Sequence, residues 1–192
     1  MKPRVRIALA SLTASVLAGC AADAVGPSLK DLDGAQHAPL DVQGDAVHVL
    51  VFTSHECPIA NAYAPTLRAL QAEWADQPRV KLFLLHVDPD LSADRARQHA
   101  QDYQLPGTVL LDPTQVAASA CAATITPEAV VLSKAGQLYR GRIDDQWRKL
   151  GSRVPEASSR DLADAVQLAL QGARAPEPHP KAVGCLLPEP RR

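Results

Sequence analysis

Residues 48–67 read HVLVFTSHECPIANAYAPTL, an apolar run that passes through a short polar loop into a cysteine followed by proline. The segment AVHVLVFT, residues 46–53, is apolar almost throughout, as befits a strand covered on both faces. Beyond it, Ile59, Tyr63, Leu67, Leu70 and Trp74 recur at steps of three or four, the period that gathers side chains on one helical face. Cys57 therefore stands where a strand hands over to a helix. Pro58 falls in the first turn, where its missing N–H costs no bond. Unpaired backbone N–H groups and the positive end of the helix dipole favour a thiolate at such a place. Protonated His55, two residues upstream, would lower the thiol pKa further, and Glu56 would oppose it. The competing reading is a packed, inert cysteine.

Working outward, LKDLDGAQHAPLDVQGD reads as paired short strands with Asp33-Gly34 as turn. VKLFLLHV is a second buried strand, and SADRARQHAQDYQ a helix capped by Ser92, with Asp88 and Asp90 as further cap candidates. TVLLDP is a third strand and TQVAASACAA a helix by alanine content. EAVVLS and QLYRGRI form a hairpin about Lys134-Ala135-Gly136. The last periodic segment, RDLADAVQLALQG, takes Ser158 or Ser159 as cap and Gly172 as stop. This order predicts a three-layer α/β sandwich whose central sheet is parallel in its first half and antiparallel in its second. Residues 173–192 carry five of the sixteen prolines and form an extended tail that contains Cys185 and His179, the latter with no evident partner.

The first nineteen residues are of another kind. Lys2, Arg4 and Arg6 precede an uncharged segment from Ile7 to Ala18, too short to span a bilayer comfortably, which reads as an export signal. Leu17-Ala18-Gly19-Cys20 resembles a bacterial lipobox, implying a lipid on Cys20, a tether over residues 20–27 and a folded part facing the periplasm, with the outer membrane mildly favoured. Without residues 1–19, and so without those three positive charges, Asp+Glu outnumber Lys+Arg, which excludes a nucleic-acid surface.

Between residues 28 and 172 the chain resembles the thioredoxin superfamily, and more closely its redoxin branch, the alkyl hydroperoxide reductase/thiol-specific antioxidant relatives. Cys57 lies five residues after Phe52, where that family places its nucleophile, and Pro65 sits where thioredoxins kink this helix. TPEAVVLSKAGQLYRGRID resembles the family's cis-proline strand and hairpin, which implies a cis Thr126-Pro127 bond with Thr126 backbone groups open to an extended substrate. The CPIAN, TPEA, YRGRIDD and VGC segments also resemble a group of exported redoxin-like proteins. The departures bear on chemistry. The second cysteine of C-x-x-C is replaced by Ala60, and the buried acid of thioredoxins by Val51. Thr53 lies four rather than three residues before Cys57, and no peroxide-positioning arginine is identifiable, so an ordinary peroxidase is disfavoured.

With Cys20 lipidated, Cys57, Cys121 and Cys185 remain, and one internal disulfide at most can form. Cys121 reads as core filler. A tail folded across the active-site edge would bring Cys185 to Cys57 in place of the missing C-x-x-C partner. The expected function is thiol-disulfide exchange with a protein or small thiol, without a cofactor: Cys57 attacks beside Pro127 and Cys185 or an external thiol resolves. Two alternatives differ in class. One is a copper site like that of Sco-type chaperones, from Cys57, Cys185 and His55 or His86. The other is a non-catalytic lipoprotein binding module on the same fold. His86 is otherwise a core histidine, and Asp144-Asp145 with Trp147 is a solvated turn or the rim of the site.

Overall fold

The computed structural model describes residues 26–190, so Cys20 and the leader lie outside the described residues. Strands β1 (Leu29–Asp31) and β2 (Gln36–His37) form the expected opening hairpin, its turn closed by Asp31 Oδ1, which accepts from Asp33 and Ala35 N–H at 2.9 Å each. Strand β3 (Val47–Thr53) is followed by α1 (Pro58–Ala62) and α2 (Ala64–Glu73), then by β4 (Val80–His86), α3 (Ala93–Asp102), β5 (Thr108–Leu111) and α4 (Val116–Ala120). A two-residue strand β6 (Ile125–Thr126) leads into the hairpin β7 (Glu128–Ser133) and β8 (Gly136–Gly141). After the small hairpin β9 (Trp147–Lys149) and β10 (Ser152–Arg153) come α5 (Asp161–Leu170) and the last strand, β11 (Cys185–Leu186).

The main sheet runs β2-β1-β5-β4-β3-β7-β8. Strands β3, β4 and β5 are parallel; β1 joins β5 antiparallel, and β7 joins β3 antiparallel, so the mixed sheet expected from the element order is present. Every residue of β3 is buried, because alternate side chains serve two cores. Val47, Val49 and Val51 face α1, α2 and α5 with Ile59, Leu67, Leu70, Leu162 and Val166. Leu50 and Phe52 face the opposite side with Leu85, Leu110, Ala117, Ala118 and Cys121.

The helix after Cys57 is in two pieces, joined at Tyr63, whose N–H reaches Ala60 O and which serves as cap to both. Pro65, in the first turn of α2, has no N–H to continue the ladder, which accounts for the break. All five residues of the predicted stripe are nevertheless buried. Ser92 caps α3 by accepting from Arg95 N–H at 3.3 Å. Asp88 does not: it turns back to the Cys57 loop. The cap expected for α5 is also different. Asp145 captures the N–H groups of Ser158 and Ser159 at 2.6 and 3.0 Å, and the N-cap position of α5 falls to Arg160, which makes no side-chain cap bond. Gly172, at φ +75°, ends that helix as expected.

Candidate redox site

Cys57 is the residue that caps α1. Its backbone is extended, at φ −83° and ψ 109°, and its sulfur accepts the Ala60 N–H at 3.4 Å. The thiol in turn donates to the carbonyl oxygen of Thr126, 3.1 Å away at the end of β6. Thr126-Pro127 is cis. Only 1% of Cys57 is exposed, and it belongs to the core packed by Ile59, Ala60 and Tyr63.

The Thr126 edge is not open. The proline-rich tail returns across it as a strap, and β11 pairs antiparallel with β6, setting Cys185 opposite Thr126 and Leu186 opposite Ile125. The Cys185 thiol is thereby brought beside Cys57, near enough for each to shift the other's ionisation; both thiols are free. Thus the position anticipated for a substrate chain is filled by the protein's own C-terminal segment. The strap is held along its length. Arg142 N–H donates to Pro180 O at 3.1 Å, Arg140 N–H to His179 Nδ1 at 3.2 Å, Leu187 N–H to Thr124 O at 3.3 Å, and Gln115 Nε2 to Pro188 O at 2.6 Å. His179 also lies against the Tyr139 ring, with centroids 5.0 Å apart.

Two glycines allow this approach. A Cβ at Gly184 would lie 1.9 Å from Thr126 O, and one at Gly141 would lie 2.3 Å from Pro180 O, so any side chain at either place collides with backbone. Gly184 is part of the VGC segment, and its role follows from the pairing: the residue before Cys185 must let two backbones nearly touch.

The electrostatics separate the three thiols. Burial pushes Cys57 up, but the Cys185 thiol, the nearby Thr126 hydroxyl and the Ala60 and Cys185 N–H groups outweigh it and hold Cys57 below its ordinary value. The Thr126 hydroxyl falls short of good hydrogen-bond geometry and is otherwise unpartnered; an ionised sulfur would give it an acceptor. Cys185 moves the other way, to about 11, through burial, its hydrogen bond to Cys57 and the charge there. Cys121, buried among Ala117, Ala118 and Phe52, is pushed by burial up to about 12, the environment of a packing residue rather than a nucleophile.

His55 turns away from this pair. Its Nδ1 lies 3.3 Å from Asp88 Oδ2, without hydrogen-bond geometry, and its Nε2 is 3.2 Å from an Arg95 guanidinium nitrogen. Asp88 is the hub of the loop: it accepts Ser54 Oγ–H at 2.5 Å and His55 N–H at 3.1 Å and lies 3.4 Å from His86 Nδ1. Burial raises its carboxyl, but these donors prevail and hold it well below the carboxylate range. Asn61 ties the same loop to α3, donating to His55 O at 3.0 Å and facing His99 Nε2 at 2.8 Å. His86 and His99 pack with centroids 5.0 Å apart. Burial and the neighbouring His86 and His55 lower His99 to about 4. These residues position the loop rather than touch the sulfurs. Asn61 and His99 were not singled out from the sequence, although His99 falls three residues after buried Ala96 on the inner face of α3. The carboxylate of Asp144 is likewise structural, accepting Tyr63 O–H at 2.7 Å.

Among the described residues, no three His, Cys, Asp or Glu side chains gather closely enough to hold a metal ion, so His55 and His86 do not join Cys57 and Cys185 in a ligand set. A cleft of about 680 Å³ lies against the strap, lined by Glu128, Arg140, Arg174, His179 and Lys181, and no cysteine borders it.

Comparison with known proteins agrees with this architecture. No functionally curated protein matches the chain by sequence. Among solved structures, an uncharacterised conserved protein from Geobacillus kaustophilus superposes with a TM-score of 0.68 at 24% identity, over 87% of this chain and 92% of its own. A hypothetical protein from Sinorhizobium meliloti 1021 gives 0.68 at 20% identity, over 83% and 88%. A secreted Mycobacterium tuberculosis disulfide oxidoreductase homologous to E. coli DsbE gives 0.54 at 20% identity, over 77% and 96%. These likenesses establish the thioredoxin-like fold, of the type that thiol-disulfide oxidoreductases use. Residues 21–140 match the AhpC/TSA family, and the chain belongs to that family.

Proposed function

We propose that this protein is a lipid-tethered thiol-disulfide oxidoreductase of the bacterial envelope whose redox pair is Cys57 and Cys185. The observation that carries the reading is the pairing of Cys185 with Thr126, which supports Cys185 as the second sulfur that α1 lacks at Ala60. In the reduced state the pair holds one proton readily and the other loosely, because Cys57 is stabilised as thiolate by the donors around it. Oxidation joins the two sulfurs, passing two electrons and two protons to a partner whose disulfide becomes a dithiol; reduction runs the same exchange backwards. The partner is a thiol- or disulfide-bearing protein or a small thiol, and no cofactor is required. A lipid on Cys20 would hold the domain at the membrane with its site in the oxidising compartment, where such exchange has work to do.

Turnover tests the reading. Thiol-disulfide exchange with a reporter disulfide is expected from the native chain and is expected to be lost in both Cys57→Ser and Cys185→Ser. Equal rates in all three proteins would leave a binding module instead. Labelling with a radioactive fatty acid, expected in the native protein and absent in Cys20→Ser, tests the tether separately.

A further inference from the structure

The two sulfurs of the pair are not equally placed. Cys57 is 1% exposed and enclosed by Ala60, Thr126 and the strap itself, whereas Cys185 is half-buried on the outer segment, followed by Leu186, which is 81% exposed. Attack on a disulfide is in line: the incoming thiolate approaches one sulfur from the side opposite the bond that breaks, and the other sulfur departs. With Cys57 and Cys185 joined, an approach to Cys57 from its far side would pass through the packing of Ile59, Ala60 and Tyr63. An approach to Cys185 comes from the strap's outer side. We propose that the partner thiol meets Cys185, and that Cys57 is the leaving sulfur, the reverse of the order expected for a cysteine at the helix start. The proposal rests on the redox pair argued above and names which of its members faces the partner.

The step balances. A partner thiolate forms a bond to Cys185 Sγ, the Cys185–Cys57 bond breaks, and its electron pair leaves on Cys57. There the Ala60 N–H and the backbone N–H of Cys185 receive the charge. Lower-pKa thiols leave faster, so the electrostatics favour the same direction as the access. A second thiol of the partner then attacks the partner's own sulfur in the mixed disulfide, and Cys185 departs and takes up a proton. The partner has lost two electrons and is left with a disulfide; the protein holds a thiolate at Cys57 and a thiol at Cys185. Because the strap already fills the Thr126 edge, the partner need not lay down an extended strand. It must present an accessible thiol beside the apolar side chain of Leu186.

The test locates the mixed disulfide. The full chain is oxidised, its Cys57–Cys185 bond is verified by peptide mapping, and a limiting amount of glutathione is added. The reaction is quenched in acid within seconds and mapped again. Glutathione on Cys185 in at least tenfold excess over Cys57 is expected. Equal labelling, an excess on Cys57, or capture at neither sulfur would overturn the proposal while leaving the redox pair standing. Failure to find the Cys57–Cys185 bond before glutathione is added would overturn the redox pair itself, and this proposal with it.

Discussion

The substitution Gly184→Ala tests the strap most sharply. A Cβ there would lie 1.9 Å from Thr126 O and 2.6 Å from Thr126 C, both backbone atoms of β6, which runs directly into β7 of the main sheet. Carbon and carbonyl oxygen tolerate about 3.3 Å, so β11 must withdraw by about 1.4 Å, enough to stretch its ladder bonds past useful length. The pairing of Cys185 and Leu186 with β6, and the Leu187 N–H bond to Thr124 O, would be lost or weakened, at about 1 kcal/mol each. Cys57 then loses two of its donors, the thiol and the N–H of Cys185. Hydrogen bonds to a charged group contribute about 1.5–3 kcal/mol each, so losing these donors should raise the Cys57 pKa. The assay is the alkylation rate of Cys57 against pH, read at that residue by peptide mapping. The variant should stay folded, since the main sheet does not include β11. An unchanged Cys57 titration in a folded Gly184→Ala protein would refute the claim that the docked strap sets the state of this thiol.

Other outcomes follow from the same geometry. In Cys57→Ser the Cys185 thiol loses the hydrogen bond and the charge that help to raise it to about 11, so its pKa should fall toward the ordinary 9.0; titrating the remaining thiols by alkylation rate checks this. His99 titrates near 4 in the folded chain and near 6.5 when unfolded, so between those values only the unfolded chain takes up its proton. Stability should therefore decline as pH drops through that window, by at most about 3 kcal/mol from this residue, and urea midpoints of His99→Gln should decline less. Asp88→Ala removes the acceptor for Ser54 Oγ and His55 N–H, and should cost about 1–3 kcal/mol and loosen residues 54–56, read as faster amide exchange there.

The sheet and its helices were legible in the sequence because each announces itself locally. The stripe from Ile59 to Trp74 carries a helical period even though Pro65 breaks the ladder, and AVHVLVFT is apolar because both its faces are covered. The place of Cys57 at the start of α1 was legible for the same reason, standing at the junction of two clear periods. The strap was not. Its β-pairing is two residues long and joins distant parts of the chain, and a proline-rich segment has no period to show that it lies down. Only Gly184-Cys185 hinted at it, and the need for glycine there becomes visible once Thr126 O is seen beside it. Asp88 was misplaced because a carboxylate just ahead of a helix satisfies the pattern of a cap; the buried N–H of His55 and the Ser54 hydroxyl compete for it and win. Ser158 and Ser159 were likewise drawn off their helix by Asp145, a residue that local spacing does not connect to them.

The central claim is that Cys57 and Cys185 form one redox pair. Its most direct test is to equilibrate the full chain in a graded series of glutathione redox buffers, quench in acid and map the disulfides by mass spectrometry. The account predicts a single internal bond, Cys57 to Cys185, that forms and disappears together across the series while Cys121 stays a free thiol. A bond from Cys121 to either partner, or three free thiols at the oxidising end, would contradict it.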